Sequence, residues 1–549
     1  MGTSKDSAMF NPWASMLGAP EHWLSMQKEF VDKFQQIFQQ AAAGTLPEIK
    51  DRRFSSEAWK ANPQLFSLAH LYLLSSEMFL KSLEQLELDA ETKDKLVFSA
   101  HQWVDAMAPS NFFALNADAL STFEKTHGES LQKGIHHLLQ DMQKGRITQS
   151  DETAFKVGEN LAVTAGKVVY KNALMELIQY APTTPTVYER PLLIVPPCIN
   201  KYYILDLQQE DSFVKGAVDQ GHTVFLISWR NPLPNDPDQP DLLTWDDYME
   251  QGVLRALQVV SEISKQAKIN TLGFCVGGTM LATALAVAKA RGQDYAHSMT
   301  LLTTFLDFSD TGVMHVFVDE PSVQMREQTI GQGGLMPARD LAAAFSILRP
   351  NELVWNYVVN NYFKGELPLP FDILYWNADS TNLPGPFYAW YLRHTYLENN
   401  LRKKGAVEVL GEPLDLSLLD MDTYLYASKE DHIVPWKSAY LSREILSGQT
   451  RFCLGASGHV AGVINPPVRH KRHYWISHED DGQRDESGLA SEEWFSQAHQ
   501  HPGSWWNDWY AWLAPRAGKK LKAKKTFGNR QYKVLTDAPG EYVYVRAVP

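Results

Sequence analysis

The first part of the chain places large apolar residues three and four positions apart, which is the spacing of one face of an α-helix. A second stripe of this kind runs from Leu65 to Leu73 behind Pro63, and proline is common at the first position of a helix. We therefore expect a helical N-terminal domain over residues 1–157. The stripes either form its core or present a face to a second subunit, another partner or an apolar surface. The first stripe consists of Trp23, Met26, Phe30, Phe34, Ile37 and Phe38.

From residue 158 onward, short and nearly continuous apolar runs alternate with helix-like segments. Strands that are apolar along their whole length are typical of a parallel sheet with helices on both faces. We therefore expect an α/β domain over residues 158–549. The predicted strands are 190–197, 222–229, 269–274, 298–308, 422–428 and 451–457.

The alternation of strands and helices lapses between Asp310 and Leu419, where the chain is rich in aromatic residues and proline. Ligands of open α/β sheets bind at the carboxyl ends of the strands, and an insertion between two strands is well placed to cover that edge. We therefore predict a cap or lid insertion at about residues 310–419.

The composition is that of a globular chain, with 44% hydrophobic and 21% charged residues. The net charge of −13 argues against nucleic-acid binding, which needs a basic surface. Residues 509–536 are a local exception with eight basic side chains and no acidic one, and we interpret them as a solvated surface or a site for phosphates or a partner. No apolar run approaches the ~18 residues of a membrane span, so we expect a cytoplasmic protein without a transmembrane segment.

The strongest chemical signal is the pentapeptide Gly273 to Gly277, which has Cys275 at its centre. It follows a predicted strand and precedes an alanine-rich helix, which is the arrangement of the nucleophile elbow of α/β-hydrolases. We therefore expect residues 158–549 to form a catalytic domain with the α/β-hydrolase fold. Composition predicts only about 0.01 chance occurrences of G-x-C-x-G in the chain. We predict that Cys275 is a nucleophile and that the amide of Val276 faces the oxyanion, the alternative being a buried, inert cysteine.

An elbow of this kind needs an acid and a histidine later in the chain, each in a loop after a strand. Asp431 and His459 meet both conditions in the right order, and Gly458 stands beside the histidine. The alternatives are that Asp431 caps a loop and that His459 is a packed core residue. Spacing alone leaves Glu430 and His432 open as well.

The other two cysteines of the chain have different predicted roles. Cys198 lies in the loop after residues 192–195, where α/β-hydrolases provide a second oxyanion amide. We expect that amide to come from the backbone of Cys198 or Ile199, and we expect the Cys198 thiol to be non-catalytic. Cys453 is predicted to be core. The sequence contains no metal-ligand motif and no dinucleotide or phosphate-loop motif, so we expect neither a metal nor a cofactor.

Long motifs along most of the chain, from about Asp51 to the C-terminus, resemble those of class I polyhydroxyalkanoate synthases. By this resemblance the catalytic triad is Cys275, Asp431 and His459, in agreement with the elbow. The resemblance also implies that Arg349 and Asn399 contact coenzyme A or its pantetheine chain. The motifs are DRRFSSEAW, PPCINKYYILDL, GFCVGGT, LRPNELVWNYVVNNY, FDILYWNADSTNLPGP, YLRHTYLENN, EDHIVPW, GASGHVAGVINPP and GSWWNDWYAWL.

The resemblance implies an acyltransferase that polymerises (R)-3-hydroxyacyl-coenzyme A, with short-chain units such as 3-hydroxybutyryl, into polyester. Coenzyme A is then part of the substrate and a product, and Asp431 either orients His459 or activates the hydroxyl. The expected partners are a second copy of the chain, the growing polyester and the surface of a cytoplasmic polyhydroxyalkanoate granule. Two other functions share parts of the pattern, namely a thioesterase or polyester depolymerase, and a non-catalytic granule-coat protein.

Overall fold

The computed structural model describes residues 20–477 and 489–547, and it divides the chain into two compact units. The first unit comprises the residues up to Gln149 together with Phe345–Leu369. The second comprises Ser150–Ala344 and the residues from Pro370 onward. The division therefore differs from the prediction, because residues 345–369 of the predicted insertion belong to the N-terminal unit.

The first unit is helical, as its apolar spacing predicts. Asn62 accepts a hydrogen bond from the Leu65 amide at the start of α3, and Pro63 occupies the first turn. The predicted stripe on α1 is only partly buried, because Met26 packs against α3 while Phe38 is 68% exposed. The helices are α1 (Pro20–Ala43), α2 (Glu57–Lys60), α3 (Pro63–Glu84), α4 (Ala90–Ala106), α5 (Ala117–Lys125) and α6 (Glu129–Lys144).

Residues 345–369 join this unit through contacts with α6. The segment contains two π-helical stretches, Asn351–Trp355 and Val358–Phe363. A side chain at Gly134 would approach the Tyr362 carbonyl oxygen to 1.9 Å, so the glycine permits the close contact of the two backbones. The Tyr362 hydroxyl donates to the buried Asp141 carboxylate at 2.8 Å. These contacts are non-local, and the apolar pattern could not reveal them.

The second unit is built on an eleven-stranded mixed sheet with the order β15-β14-β13-β12-β7-β6-β4-β5-β2-β1-β17. Strands β13, β12, β7, β6, β4 and β5 are parallel to one another, and the strands outside them are antiparallel. The sheet strands are β1 (Gly166–Lys171), β2 (Met175–Tyr180), β4 (Leu192–Val195), β5 (Val224–Trp229), β6 (Ile269–Phe274), β7 (Ala296–Leu302), β12 (Asp422–Ser428), β13 (Thr450–Gly455), β14 (His473–Ile476), β15 (His499–Pro502) and β17 (Thr536–Asp537). Short two-stranded pairs are formed by β3 (Thr186–Tyr188) with β16 (Lys520–Lys522), β8 (Leu335–Met336) with β9 (Leu383–Pro384), and β10 (Glu408–Val409) with β11 (Glu412–Pro413).

The parallel centre of the sheet matches the predicted strands, and most boundaries agree to within about two residues. The run 298–308 is the exception, because its strand β7 ends at Leu302. Thr303 takes a positive φ of 41°, and the Thr304 hydroxyl donates to the Leu302 carbonyl oxygen at 3.0 Å. The chain therefore turns out of the sheet although the apolar run continues.

The core occupies both faces of the sheet, as expected for a doubly covered α/β domain. Along β4, Leu193 and Val195 join one hydrophobic cluster, while Leu192 and Ile194 join the other. The helices are α7 (Phe213–Asp219), α8 (Trp245–Asp247), α9 (Arg255–Ser264), α10 (Val276–Ala290), α11 (Glu320–Thr329), α12 (Ala338–Ile347), α13 (Asp372–Ala378), α14 (Gly385–Tyr391), α15 (Trp436–Ile445), α16 (His459–Val463), α17 (Ser491–Gln497) and α18 (Trp506–Leu513), with π-helical stretches at Tyr248–Leu254 and Leu392–Leu397. No helix of residues 20–477 and 489–547 is long and apolar enough to span a membrane.

Within the second unit, the insertion packs on residues that follow the carboxyl ends of the strands. The rings of Phe308, which follows β7, and Tyr396 lie 5.1 Å apart. Trp245, which follows β5, stacks on Trp390 at 4.5 Å. The part of the insertion that belongs to this unit therefore lies over the edge of the sheet where α/β enzymes bind their ligands.

Candidate active site

The turn between β6 and α10 is a sharp elbow with Cys275 at its tip. Cys275 has φ 54° and ψ −131°, a backbone conformation that few non-glycine residues adopt. A side chain at Gly273 would come within 2.3 Å of Gly278 Cα, so neither the strand end nor the helix start leaves room for a larger residue there. The Cys275 amide donates to the Leu302 carbonyl oxygen at 2.9 Å, and the Thr304 hydroxyl donates to the Cys275 carbonyl oxygen at 3.2 Å. The end of strand β7 and the turn that follows it therefore hold the strained residue in place.

His459 and Asp431 form a hydrogen-bonded pair beside the elbow. His459 begins α16 just after β13, and its Nδ1 is 2.7 Å from Asp431 Oδ2. The Phe274 ring stacks against the imidazole at 5.6 Å, and both members of the pair are almost fully buried. The other carboxylate oxygen, Asp431 Oδ1, accepts hydrogen bonds from the amides of Ile433 at 2.8 Å and Val434 at 2.9 Å. Both oxygens are thus occupied, and the carboxylate is fixed in its orientation towards His459.

The surroundings of His459 favour its charged form. Burial disfavours the imidazolium, but the negative charge of Asp431, the neighbouring Cys275 and the hydrogen bond to Asp431 outweigh this, and they raise the pKa of His459 to about 10. The Cys275 side chain lies close enough to His459 to influence the imidazole. Because Nδ1 is engaged by Asp431, Nε2 is the ring nitrogen left for the thiol. The arrangement can therefore pass a proton between Cys275 and His459 while Asp431 stabilises the imidazolium.

The geometry distinguishes Asp431 from Glu430, one of the two alternatives that spacing left open. The hydrogen-bond partner of His459 Nδ1 is Asp431. Glu430 is exposed, and its amide donates to the Ser457 carbonyl oxygen at 3.0 Å. A local signal in the sequence could have favoured Asp431. An aspartate whose side chain accepts hydrogen bonds from the amides two and three residues later forms an Asx-type turn.

The loop after β4 lies against the start of α10. A side chain at Gly277 would approach the carbonyl oxygens of Val195 and Pro196 to 2.3 and 2.5 Å, so this loop packs directly on the elbow helix. The amide of Val276, at the first position of α10, has no acceptor within its own helix. Val276 and the loop that carries Cys198 are therefore neighbours, which is the arrangement that a two-amide oxyanion site requires.

The remaining cysteines are buried. Burial, together with the charge of Cys275, raises the pKa of the Cys198 thiol far above its usual range, so Cys198 is not a thiolate at neutral pH. Cys453 lies inside β13 with no exposed surface. Cys275, by contrast, is partly exposed.

Arg349 and Asn399 occupy different units. Arg349 belongs to the first unit, where its carbonyl oxygen accepts from the Leu353 amide at 2.9 Å. In the second unit, the side chain of Asn399 donates to the buried Asp307 carboxylate at 2.8 Å and accepts from the Phe308 amide at 3.0 Å. Asn399 thus fastens the end of the insertion to the segment after β7, and contacts of both residues with coenzyme A stay a prediction.

Two further tyrosines lie near the elbow and were not found from the sequence. Burial raises the pKa of Tyr391 and Tyr396, and the charge of Cys275 adds to the effect on both. Both residues belong to the insertion, and they lie close enough to Cys275 to feel its charge. Within the described ranges, no three His, Cys, Asp or Glu side chains are grouped to hold a metal ion.

Comparisons with known proteins agree with this fold. A family model described as "Poly-beta-hydroxybutyrate polymerase (PhaC) N-terminus" matches residues 50–217, and one described as "alpha/beta hydrolase fold" matches residues 191–466. The poly(3-hydroxyalkanoate) polymerase subunit PhaC of Cupriavidus necator is 50% identical over 537 residues, which cover 96% of this chain and 89% of that protein. The protein of the same name from Rhizobium meliloti is 37% identical, with 96% and 87% covered.

A third relative, the poly(3-hydroxyalkanoate) polymerase of Methylorubrum extorquens, is 38% identical, with 91% of this chain and 82% of that protein covered. Identity of this extent over nearly the full length of several relatives establishes the family. The chain therefore belongs to the poly(3-hydroxyalkanoate) polymerases, the polyhydroxyalkanoate synthases, as a class I-like member with an α/β-hydrolase fold.

Proposed function

We propose that the protein is an acyltransferase that polymerises (R)-3-hydroxyacyl-coenzyme A into polyester and releases coenzyme A through a thioester on Cys275. The observation that carries the proposal is the strained Cys275 elbow beside a His459–Asp431 pair whose nitrogen and oxygen lie 2.7 Å apart. Family membership supports the polyester product. Short-chain units such as 3-hydroxybutyryl are the proposed substrate.

In the first step, Cys275 attacks the acyl carbonyl carbon as a thiolate, while His459 holds the proton of the thiol. The carbon–sulfur bond to coenzyme A breaks, and the leaving thiolate takes the proton back from His459. The amides of Val276 and of Cys198 or Ile199 stabilise the negative oxygen of the tetrahedral intermediate. Exchange of one thioester for another changes the free energy little, so the acyl group stays activated on the enzyme.

In the second step, the 3-hydroxyl oxygen of a hydroxyacyl-coenzyme A attacks the carbonyl carbon of the chain held as a thioester on Cys275, and a base takes the hydroxyl proton. The carbon–sulfur bond to Cys275 breaks, and the Cys275 thiolate is the leaving group. Asp431 has both oxygens engaged, one by His459 and the other by the amides of Ile433 and Val434. This supports an orienting role for Asp431 and makes His459 the base in both steps. No cofactor enters the scheme, because coenzyme A arrives with the substrate.

The apolar product gives a role to exposed apolar surface on the first unit. Four residues of α6, at spacings of three and four, are exposed, and among them Met142 is 69% exposed. We propose that this surface and the exposed residues of α1 contact the growing polyester, that the enzyme works as a homodimer, and that it stays on cytoplasmic granules. The four α6 residues are Ile135, Leu138, Leu139 and Met142.

A single assay tests the proposal. The purified enzyme is given (R)-3-hydroxybutyryl-coenzyme A while free thiol and turbidity are recorded together. We expect thiol release and insoluble polymer in parallel. Thiol release with free hydroxy acid and no polymer would instead identify a thioesterase or depolymerase, and absence of any thiol release would leave a granule-coat protein.

A further inference from the structure

The loop after β4 is tied to the insertion by three short hydrogen bonds within the second unit. The Trp376 indole nitrogen donates to the Lys201 carbonyl oxygen at 2.6 Å. The Thr381 hydroxyl donates to the Cys198 carbonyl oxygen at 2.8 Å and accepts from the Asn200 amide at 2.9 Å. Thr381 is 4% exposed, so water does not compete for these contacts.

The two hydrogen bonds of Thr381 hold the chain on both sides of Ile199, at the Cys198 carbonyl group and at the Asn200 amide. The carbonyl group of Cys198 and the amide of Ile199 belong to the same planar trans peptide, and they point in opposite directions. A hydroxyl that holds the Cys198 oxygen on one side therefore fixes the direction of the Ile199 N–H on the other. The bond to the Asn200 amide fixes the next peptide unit, so the plane cannot rotate about either neighbouring bond.

The loop is supported on both flanks of this peptide. Before it, the Val195 and Pro196 carbonyls lie against Gly277 of the elbow helix. After it, the buried Lys201 ammonium donates to the Val543 carbonyl oxygen at 2.9 Å. Thr381 is the side chain that orients the peptide between these two supports.

We infer that Thr381 is a positioning residue that aims the Ile199 N–H at the oxygen of the tetrahedral intermediate on Cys275. The inference rests on the proposed function, and it selects Ile199 over Cys198 as the second oxyanion donor. Because Thr381 lies in the insertion, the same contact ties the segment that covers the substrate to the group that stabilises its reaction. Thr381 itself touches neither the substrate nor the reacting atoms.

The test compares Thr381→Val, which keeps the shape but removes the hydroxyl, with Thr381→Ser, which keeps the hydroxyl. Ser380→Ala is the matched control, because the Ser380 hydroxyl reaches only the Asn377 carbonyl oxygen of its own turn. Loss of an oxyanion donor costs about 100-fold or more in kcat, and we expect a misaimed donor to cost about 10- to 100-fold. KM should change by less than about threefold, and the Thr381→Ser and Ser380→Ala variants should keep most of the activity.

Two further readouts separate this role from a structural one. Alkylation of Cys275 by iodoacetamide needs no oxyanion site, so its rate should be unchanged in Thr381→Val. Acylation by butyryl-coenzyme A labelled at the carbonyl carbon gives an acyl-enzyme that cannot elongate, and its infrared carbonyl band should move to higher frequency in Thr381→Val as the hydrogen bond weakens. The band of Ser380→Ala should not move.

The inference is overturned if Thr381→Val keeps its kcat, if its alkylation rate falls in step with kcat, or if its carbonyl band stays in place. Cys275→Ala distinguishes this failure from failure of the proposed function. An inactive Cys275→Ala beside a fully active Thr381→Val refutes only the role of Thr381. A Cys275→Ala variant that releases coenzyme A normally refutes the proposed function and the positioning role with it.

Discussion

Cys275 differs from Cys198 and Cys453 in its backbone conformation, in its exposure and in having His459 as a neighbour. It is the partly exposed one of the three, and it has a positive φ. We predict that Cys275→Ala lowers thiol release from (R)-3-hydroxybutyryl-coenzyme A by about 100-fold or more, since it removes a covalent nucleophile. Cys453→Ala, the matched control inside β13, should keep most of the activity. Polymer formation by Cys275→Ala at the normal rate would refute the assignment.

The charge of His459 gives the folded protein a pH dependence with a definite sign. The folded pKa of about 10 lies above the ~6.5 of an unfolded histidine. The contribution of the His459 charge to the free energy of unfolding is therefore fully present below pH ~6.5, and it is lost as the pH rises through about 10.

Asp431→Asn should flatten this dependence, because it removes a negative charge that raises the pKa. The measurement is the midpoint of thermal unfolding at several pH values from 6 to 11. Asp211→Asn is the control, because it breaks an ion pair with Arg469 that does not involve His459. It should leave the slope of the unfolding midpoint against pH unchanged. An unchanged slope in Asp431→Asn would contradict the electrostatic account of the pair.

At this scale the sequence predicts residues whose chemistry is local. The elbow at Cys275 is recognisable because glycine spacing, a strand and a helix stand together in the chain. The order and loop placement of Asp431 and His459 predict their pairing. The contacts of Thr381 and Phe274 could not be predicted, because they depend on how distant segments pack and no local pattern marks them.

Among the elements, the parallel strands at the centre of the sheet were predictable and the antiparallel strands at its margins were not. Strands β6 and β12 are apolar along their length and buried, so their runs stand out. Strand β2 is buried too, but it contains Glu176 and Gln179, which interrupt the apolar pattern. Glu176 Oε2 accepts hydrogen bonds from the amides of Glu541 and Tyr542 near the end of the chain, a contact that no local pattern predicts.

The insertion leads to a kinetic prediction. Aromatic residues of the insertion, such as Tyr391 and Tyr396, lie near Cys275, so the site should need to open before it turns over. We expect a lag before steady release of coenzyme A, and a short hydroxybutyryl oligomer added as a primer should shorten it. The measurement is a stopped-flow thiol assay with and without primer. Release that is linear from the first seconds and insensitive to primer would show a site that is open from the start.

The exposed face of α6 predicts where the enzyme meets its product. Lysine at Leu139 and Met142 should weaken attachment to polyester granules, because each large apolar side chain gains roughly 25 cal/mol per Å² when it leaves water. Lysine at the exposed Gln140 and Gln143 adds the same charge to the same helix without removing apolar surface, so it serves as the control. Binding is measured by sedimentation with isolated granules. In a separate assay, both double variants should be alkylated at Cys275 at the normal rate. Equal binding of the two pairs would place the attachment elsewhere.

For the α1 region, deletion of residues 1–50 should lower the dimer population and granule binding while Cys275 stays reactive. The deletion removes α1 and residues 1–19, which lie outside the described ranges. Wholly unchanged binding and dimerisation would mean that the α1 stripe serves to pack the helices.

At the scale of the whole molecule, the second unit has an α/β-hydrolase fold, and residues late in the chain contribute to the candidate site. Asp431 and His459 follow β12 and β13, and the insertion stands between β7 and β12. The α/β class was predictable because strands and helices alternate along the chain, whereas the order of the strands in the sheet comes from the structure. The division at residues 345–369 was not, since it depends on contacts of that segment with α6.

The central claim is that the polyester grows from a thioester on Cys275. The most direct measurement is a pulse of labelled (R)-3-hydroxybutyryl-coenzyme A, an acid quench within milliseconds, and peptide mass mapping, followed by a chase with unlabelled substrate. We predict hydroxybutyryl units on the Cys275 peptide, passage of the label into polymer during the chase, and no adduct in His459→Gln. Label on Cys198 or Cys453, or release of the label as free acid while Cys275 stays unmodified, would contradict the account.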